Sequence, residues 1–280
     1  MDDNEILKKL RKQIFLVGYA GGMAHLASCY SCLEILYALY CKGVLNLDQD
    51  SLTRENRDRF ILSKGHAGLA LYAVLVEQGL LPREEFYSYL KPGCHIGGEP
   101  CMRDLALVEA STGSLGHGLS MALGMAIAYK TDKKDARVFV VLGDGEIEEG
   151  TVWEAAISAR AFMLDNLVVI LDANEIQKMD SITNTIKLNN WREKWEAFGW
   201  RVLEVDGHDI DALVSVLTER NKTGMPLLII AHTVKGKGVS VMEHNPAWHF
   251  KLPNKKELAV FKKELAITDA ELETVCRERI

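Results

Sequence analysis

An α/β fold, with a mainly parallel sheet flanked by helices on both faces, is predicted by three features of this chain. Short, unbroken apolar runs of strand length recur at VFVVL (138–142), LVVIL (167–171) and LLIIAH (227–232). The first two are followed by stretches of helical periodicity, and strands that are apolar on both sides suit a sheet covered on both faces. With 280 residues the chain is long enough to bury the core of one large α/β domain.

The remaining elements follow in order. Ile6, Leu7, Leu10, Ile14, Phe15 and Val17 stand at helical spacing over residues 4–17. GYAGGMAH (18–25) reads as a glycine-rich turn into a helix over about 30–42, and the polar segment 48–58 as turn-rich, with Arg54, Arg57 and Arg59 solvated. Arg59–Leu62 predicts a strand that delivers Ser63, Lys64, Gly65 and His66 to its end. A helix then runs to about Gln78, and another starts after Pro82. KPGCHIGGE (91–99) has the composition of a surface loop, and small residues at helical spacing over 116–129 suit a tightly packed helix. Residues 176–190 form a long loop with little periodicity. Residues 191–209 give helix, Gly199, strand and turn. From about Lys255 an amphipathic helix carrying Leu258, Phe261 and Leu265 is expected to lie against another surface. No repeat or linker divides residues 1–280, so a single domain with a helical tail is expected.

Composition excludes several classes of function. Hydrophobic residues make up 48% and charged residues 26%, as in ordinary globular proteins. The net charge of −6 offers no global attraction to nucleic acid or to an anionic membrane, so an anionic ligand has to be held locally. The N-terminus MDDNEILKKLRKQ is charged from its second residue, unlike a signal peptide, and no apolar run is long enough to span a bilayer. A cytoplasmic location is expected. Of six cysteines, Cys29 and Cys32 form a CxxC that invites a redox or zinc reading. No second CxxC follows and the pair lies in a helical pattern, so reduced, partly buried thiols are expected.

The most informative residues are Asp144 and Asn174, each just past a predicted strand. If those strands are neighbours, a carboxylate and an amide emerge at the carboxyl edge of one sheet, where open α/β sheets bind ligands. A hard cation such as Mg²⁺, or Ca²⁺ or Mn²⁺ in its place, takes oxygen ligands and keeps phosphate oxygens as partners. Asp144, the Asn174 side-chain carbonyl and a backbone carbonyl near Ile176 suit it. Gly143 and Gly145 would let a diphosphate approach the main chain. The plain alternative is two turns after two strands.

Gly143-Asp144-Gly145, 28 residues and then Asn174 resemble the thiamine diphosphate signature. Five blocks, RFILSKGHAGLALYAVL (59–75), VEASTGSLGHGLSMALGMA (108–126), GDGEIEEGTVWEA (143–155), DGHDIDAL (206–213) and HTVKGKGVSVMEHNPAWH (232–249), stand in the order seen in transketolases. Over about residues 10–254 the chain is similar to the N-terminal half of a transketolase, in the two-subunit form of that enzyme. The resemblance implies the diphosphate-binding (PP-type) version of the fold, thiamine diphosphate with Mg²⁺ as cofactors, and transfer of a two-carbon ketol unit from a ketose to an aldose.

Carried over residue by residue, the resemblance implies sugar-facing and proton-transferring roles for His25, His66, His95 and His249, with His66 and His249 also touching the cofactor. Histidine suits such roles because it exchanges protons near neutral pH. It also implies that Gly113, Ser114 and Leu115 lie along the cofactor rings, and that Glu149 and Glu154 belong to a hydrogen-bond network at a subunit interface. From the residues alone, His25 is a helix-start histidine, Leu115 a core leucine, and the two glutamates helix-capping acids. Lys235 and Lys237 read either as phosphate-facing or as solvated loop residues. The chain departs from the family pattern at Leu26, Ala27, His117 and Phe250, and Cys94 is inserted beside His95.

The resemblance also implies that the glutamate activating the cofactor lies in a pyrimidine-binding domain, which is expected on a separate chain. The resemblance therefore implies a site completed by a separate C-terminal transketolase subunit in an α2β2 assembly acting on sugar phosphates or analogous anionic sugars. Alternatives that retain the cofactor are a sulfo- or deoxy-sugar enzyme and a pyruvate-aldehyde synthase. A catalytically silent scaffold is the alternative outside enzymology.

Overall fold

A computed structural model describes residues 2–22, 25–47, 56–178, 180–186 and 190–277. Five strands, β1 (Arg59–Leu62), β2 (Val138–Gly143), β3 (Leu167–Ala173), β4 (Arg201–Asp206) and β5 (Leu227–His232), form one sheet in the order β1-β2-β3-β5-β4. Every pairing is parallel. The helices are α1 (Asp3–Ala20), α2 (Leu26–Ser31), α3 (Leu33–Cys41), α4 (Gly68–Glu77), α5 (Arg83–Tyr87), α6 (His117–Thr131), α7 (Gly150–Ala161), α8 (Ile182–Thr185), α9 (Trp191–Ala197), α10 (Ile210–Thr218), α11 (Lys255–Glu264) and α12 (Asp269–Arg277).

The period-2 alternation of a strand explains why β2 and β3 read as continuous apolar runs. Phe139, Val141, Val168 and Ile170 point into a core shared with α1, α3, α4 and α10. Val138, Val140, Leu142, Val169 and Leu171 point into a second core shared with α6, α7 and α9. Both faces are thus covered by helices, as expected.

Several local expectations need correction. The helix expected over 30–42 is two helices that meet at Cys32, whose backbone (φ −100°, ψ 8°) interrupts the ladder. The turn expected from Gly18 starts later, because α1 continues to Ala20. The 176–190 loop contains the single turn α8, whose N-cap Ser181 accepts from Asn184 N. Arg57 and Arg59 are not solvated: both pair with Glu109, and Arg57 is buried. Arg54 lies outside the described residues. The tail is two helices: α11 opens with a capping box (Asn254, Glu257) and stacks Phe261 on Phe15 of α1, with ring centroids 4.5 Å apart.

Candidate active site

Four strand ends converge at the carboxyl edge. The register Gly143↔Asp172 sets Asp144 beside the end of β3. Asp144 Oδ1 accepts from Gly145 N (2.9 Å) and its Oδ2 from Glu175 N (2.5 Å), so the carboxylate ties its own turn to the Asn174 turn. Asn174 Nδ2 donates to Asp172 O (3.4 Å), and its Oδ1 accepts from Ile176 N (3.2 Å). The Ile176 carbonyl accepts from Lys235 Nζ at 2.7 Å, which leaves its second lone pair available. Lys235, beyond β5, is buried, so of its two sequence readings the solvated one is excluded; Lys237 stays half-buried outside the cavity.

Beneath this edge lies a buried polar floor that sequence patterns do not reveal. Lys64, fully enclosed after β1, donates to Asp172, which also accepts from Ser31 and Thr233. Burial alone would lower the Lys64 pKa, but Asp172 more than offsets it and the net shift is upward. Glu146 accepts from Ser63 Oγ, Gly116 N and Gly143 N, fixing the turn that carries Asp144. The only signals in the sequence are a charged residue closing an apolar run (Asp172) and the acidic residue after Gly-Asp-Gly (Glu146). Burial, reinforced by Asp172, raises the Asp144 pKa. Burial, reinforced by Lys64, lowers that of Lys235.

His25, His66 and His249 cluster over the floor, with ring centroids 5.2 Å (His25–His66), 5.3 Å (His25–His249) and 5.8 Å (His66–His249) apart. Burial, aided by Lys235 and Lys64, lowers the pKa of His25 to about 4. Burial, then Lys235 and His25, brings His249 to about 4, and burial and Lys64 hold His66 well below its usual value. All three are neutral at pH 7 and so can accept a proton. Phe250 is 53% exposed and its ring lies 4.8 Å from that of His25.

A cavity of about 280 Å³ is lined by His25, His66, His249, Gly113, Leu115, Gly143, Asp144, Gly145, Asn174 and Ile176, together with Lys64 and Lys235. A larger cavity of about 450 Å³ adjoins it and shares Asp144, Asn174 and Ile176. His95, Ser114, Glu149 and Glu154 are exposed and do not line the smaller cavity. His95 follows a turn closed by Cys94 N donating to Lys91 O, which leaves it on the surface of its loop. Glu149 is the N-cap position of α7 but makes no side-chain cap hydrogen bond, so the capping reading does not hold for it. Ser114 Oγ pairs instead with His117 Nδ1 at 3.3 Å. Cys29 and Cys32 are buried free thiols, raised by burial above the usual range, and no group of three or more metal-binding side chains occurs among the described residues.

The chain matches the family model for the transketolase thiamine diphosphate binding domain over residues 18–278. The chain belongs to the transketolase family. It is 38% identical over 251 residues to one subunit of the apulose-4-phosphate transketolase of Phocaeicola vulgatus, covering 89% of each chain. To the 6-deoxy-6-sulfo-D-fructose transketolase subunit of a Clostridium species it is 39% identical, covering 81% of this chain and 83% of that one. Human transketolase is 40% identical over 86% of this chain, which spans 38% of the human protein. Leishmania mexicana transketolase superposes with a TM-score of 0.86 at 25% identity, over all of this chain and 44% of that one. This chain therefore spans less than half the length of the single-chain transketolases it matches.

The cavity suits thiamine diphosphate on two structural grounds. A Cβ on Gly143 or Gly145 would meet only ordinary contacts, at 3.8 Å and 3.4 Å, and neither backbone is left-handed. The fold itself does not demand glycine there, whereas a group lying on that main chain would. His249 Nδ1 is buried without a hydrogen-bond partner among the described residues, an orphan that a polar ligand would satisfy.

Proposed function

We propose that this chain is the diphosphate-binding subunit of a two-subunit transketolase. The observation that carries the reading is the cluster of three neutral imidazoles directly above the Asp144–Asn174 edge. Asp144, Asn174 Oδ1 and the Ile176 carbonyl would hold Mg²⁺, or Ca²⁺ or Mn²⁺ in its place, with Lys235 neutralising diphosphate beside them. Gly113 and Leu115 would flank the rings. Bound thiamine diphosphate supplies a nucleophilic carbon that carries a two-carbon ketol unit between sugars. The chain's own contribution is to exclude water, orient the sugar, and take hydroxyl protons on His25, His66 and His249, which their lowered pKa values keep free to accept.

The relatives, whose names specify a phosphorylated and a sulfonated sugar, support an anionic sugar as the substrate class. A ketose ending in such an anionic group is proposed here, handled in sugar-phosphate metabolism of the pentose phosphate kind. The partner would be a C-terminal transketolase subunit bearing the pyrimidine-binding domain, in an α2β2 heterotetramer. Near-complete overlap with relatives that are themselves separate subunits, against less than half of single-chain enzymes, supports that partner. We place residues 1–280 in one domain with a helical tail, in the cytoplasm; no helix among the described residues is long and apolar enough to cross a membrane. Titrating thiamine diphosphate into the chain with and without Mg²⁺ tests the site, and ketol transfer by the chain alone and mixed with its partner tests the assembly. Metal-independent binding, or full-rate transfer by the single chain, would overturn the corresponding half of the proposal.

A further inference from the structure

Lys235 sits on a short loop whose position is set from behind. Gly236 adopts φ +81°, and a Cβ there would lie within 2.5–2.8 Å of Met242, so the turn is tight against its own continuation. On its other side the loop is held by three tertiary hydrogen bonds. Val234 N donates to His208 Nε2 (2.8 Å), Gly236 N to Ala27 O (3.0 Å), and Arg11 Nε to Lys237 O (2.8 Å). The bonds made by His208 and Arg11 flank Lys235, one residue before it and two after it.

Both flanking groups meet at one buried carboxylate. Arg11 Nη2 donates to Glu34 Oε1, and His208 Nδ1 lies 3.2 Å from Glu34 Oε2. Because His208 Nε2 accepts the Val234 N–H, its ring proton belongs on Nδ1, beside Glu34 Oε2 at ion-pair distance but without hydrogen-bond geometry. Glu34 is 3% exposed on α3. Burial opposes its charge, yet His208 and Arg11 hold its pKa below the usual carboxylate value. A buried carboxylate is retained at such a place only when paired, and the planar guanidinium, donating to Glu34 and to Lys237 O, transmits the orientation of α3 to the loop.

We propose that Glu34, acting through Arg11 and His208, is a positioning residue that holds the 234–238 loop so that Lys235 reaches the cavity and the Ile176 carbonyl. The consequence for cofactor binding rests on the transketolase reading above; the brace itself does not. Ala27 is the third anchor, so the same loop is tied to the segment that carries His25, and the brace serves both sides of the cavity.

The test compares His208→Leu, His208→Gln and Glu34→Gln with Leu167→Ala, a core substitution at the start of β3 on the opposite face of the sheet. Hydrogen exchange at Val234 and Gly236, melting temperature, and calorimetric binding of thiamine diphosphate with Mg²⁺ are measured on the full chain. His208→Leu and Glu34→Gln are expected to speed exchange at both amides about 10-fold and weaken binding about 10-fold. His208→Gln, which restores an acceptor, should return both to within about threefold. Leu167→Ala should lower the melting temperature at least as much and leave both within about twofold. Unchanged exchange in His208→Leu and Glu34→Gln, or equal changes in Leu167→Ala, would overturn the brace. If the unaltered chain binds no cofactor the transketolase reading falls, while the exchange rates still decide the brace.

Discussion

At the amino-terminal edge of the sheet, Arg57 and Arg59 both reach the carboxylate of Glu109, and Asp58 accepts from the backbone of Arg137 (2.7 Å) and Asn46 (3.1 Å) with the Arg137 guanidinium 3.8 Å away. At the carboxyl edge, among the described residues, Asp144 accepts only backbone N–H groups, Lys235 donates to a carbonyl, and His249 Nδ1 has no partner. Both edges bury charge: at the first each carboxylate is answered by a guanidinium, whereas at the second Lys64 answers Asp172 beneath the edge but, among the described residues, no side chain of opposite charge contacts Asp144 or Lys235. A buried charge with its counter-charge in contact serves the fold. A buried charge held by neutral atoms is one that the fold tolerates at a cost, and it marks where a charged ligand belongs.

The sharpest break in that comparison is Asp144→Ala. Removing a carboxylate that no cation contacts among the described residues relieves a buried charge but frees the Gly145 and Glu175 N–H groups, so the melting temperature should move by only a few degrees. Mg²⁺-dependent retention of thiamine diphosphate should fall by about 100-fold or more, as expected when a metal loses one of few protein ligands. Calorimetric titration against differential scanning of the same sample separates the two effects. Unchanged retention would remove Asp144 from the proposed metal shell. His66→Ala should come next: kcat/KM of the chain mixed with its partner falls about 10²-fold, with cofactor affinity within about threefold. A loss confined to affinity would make His66 a cofactor contact rather than a proton acceptor.

Glu109→Ala tests the opposite edge. Two arginines lose their counter-charge, one of them buried, so about 3 kcal/mol of stability should be lost, discounted for the partial exposure of Arg59. Cofactor affinity should not change. Denaturant unfolding measures the first and titration the second; a matching loss of affinity would mean that the two edges are coupled through the sheet.

The contrast also explains what can be read from the sequence. Strands β2 and β3 are legible because burial on both faces forces unbroken apolar runs, and the glycines beside Asp144 carry their own signal. Lys64 and Asp172 are not, because a charged residue at a strand end looks the same whether it faces water or a partner far away in the chain. Arg57 and Arg59 read as solvated for that reason, since Glu109 lies fifty residues on. His95 enters by resemblance alone. The inserted Cys94 and the turn it closes leave it exposed, and no local pattern records the reach of a loop.

The smallest effect expected is on the pH dependence of stability. Unfolded histidine titrates at about 6.5, whereas folded His25 and His249 are lowered to about 4, chiefly by burial. Above pH 6.5 both states are neutral at these positions and their contribution is fully present. As the pH falls from 6.5 toward 4, the unfolded chain binds protons that the folded one refuses, so stability falls and then levels off. His25→Asn removes one of these groups and relieves the other two of a neighbour, so its melting temperature should drop less between pH 7 and pH 5 than that of the unaltered chain. Partial exposure of the rings keeps the difference to a few degrees at most. Glu109→Ala, at the edge where carboxylates face arginines, should leave that slope between pH 7 and pH 5 unchanged. If His25→Asn and the unaltered chain show identical slopes, the histidine cluster is open to water, and the contrast between the two edges rests on Asp144 alone.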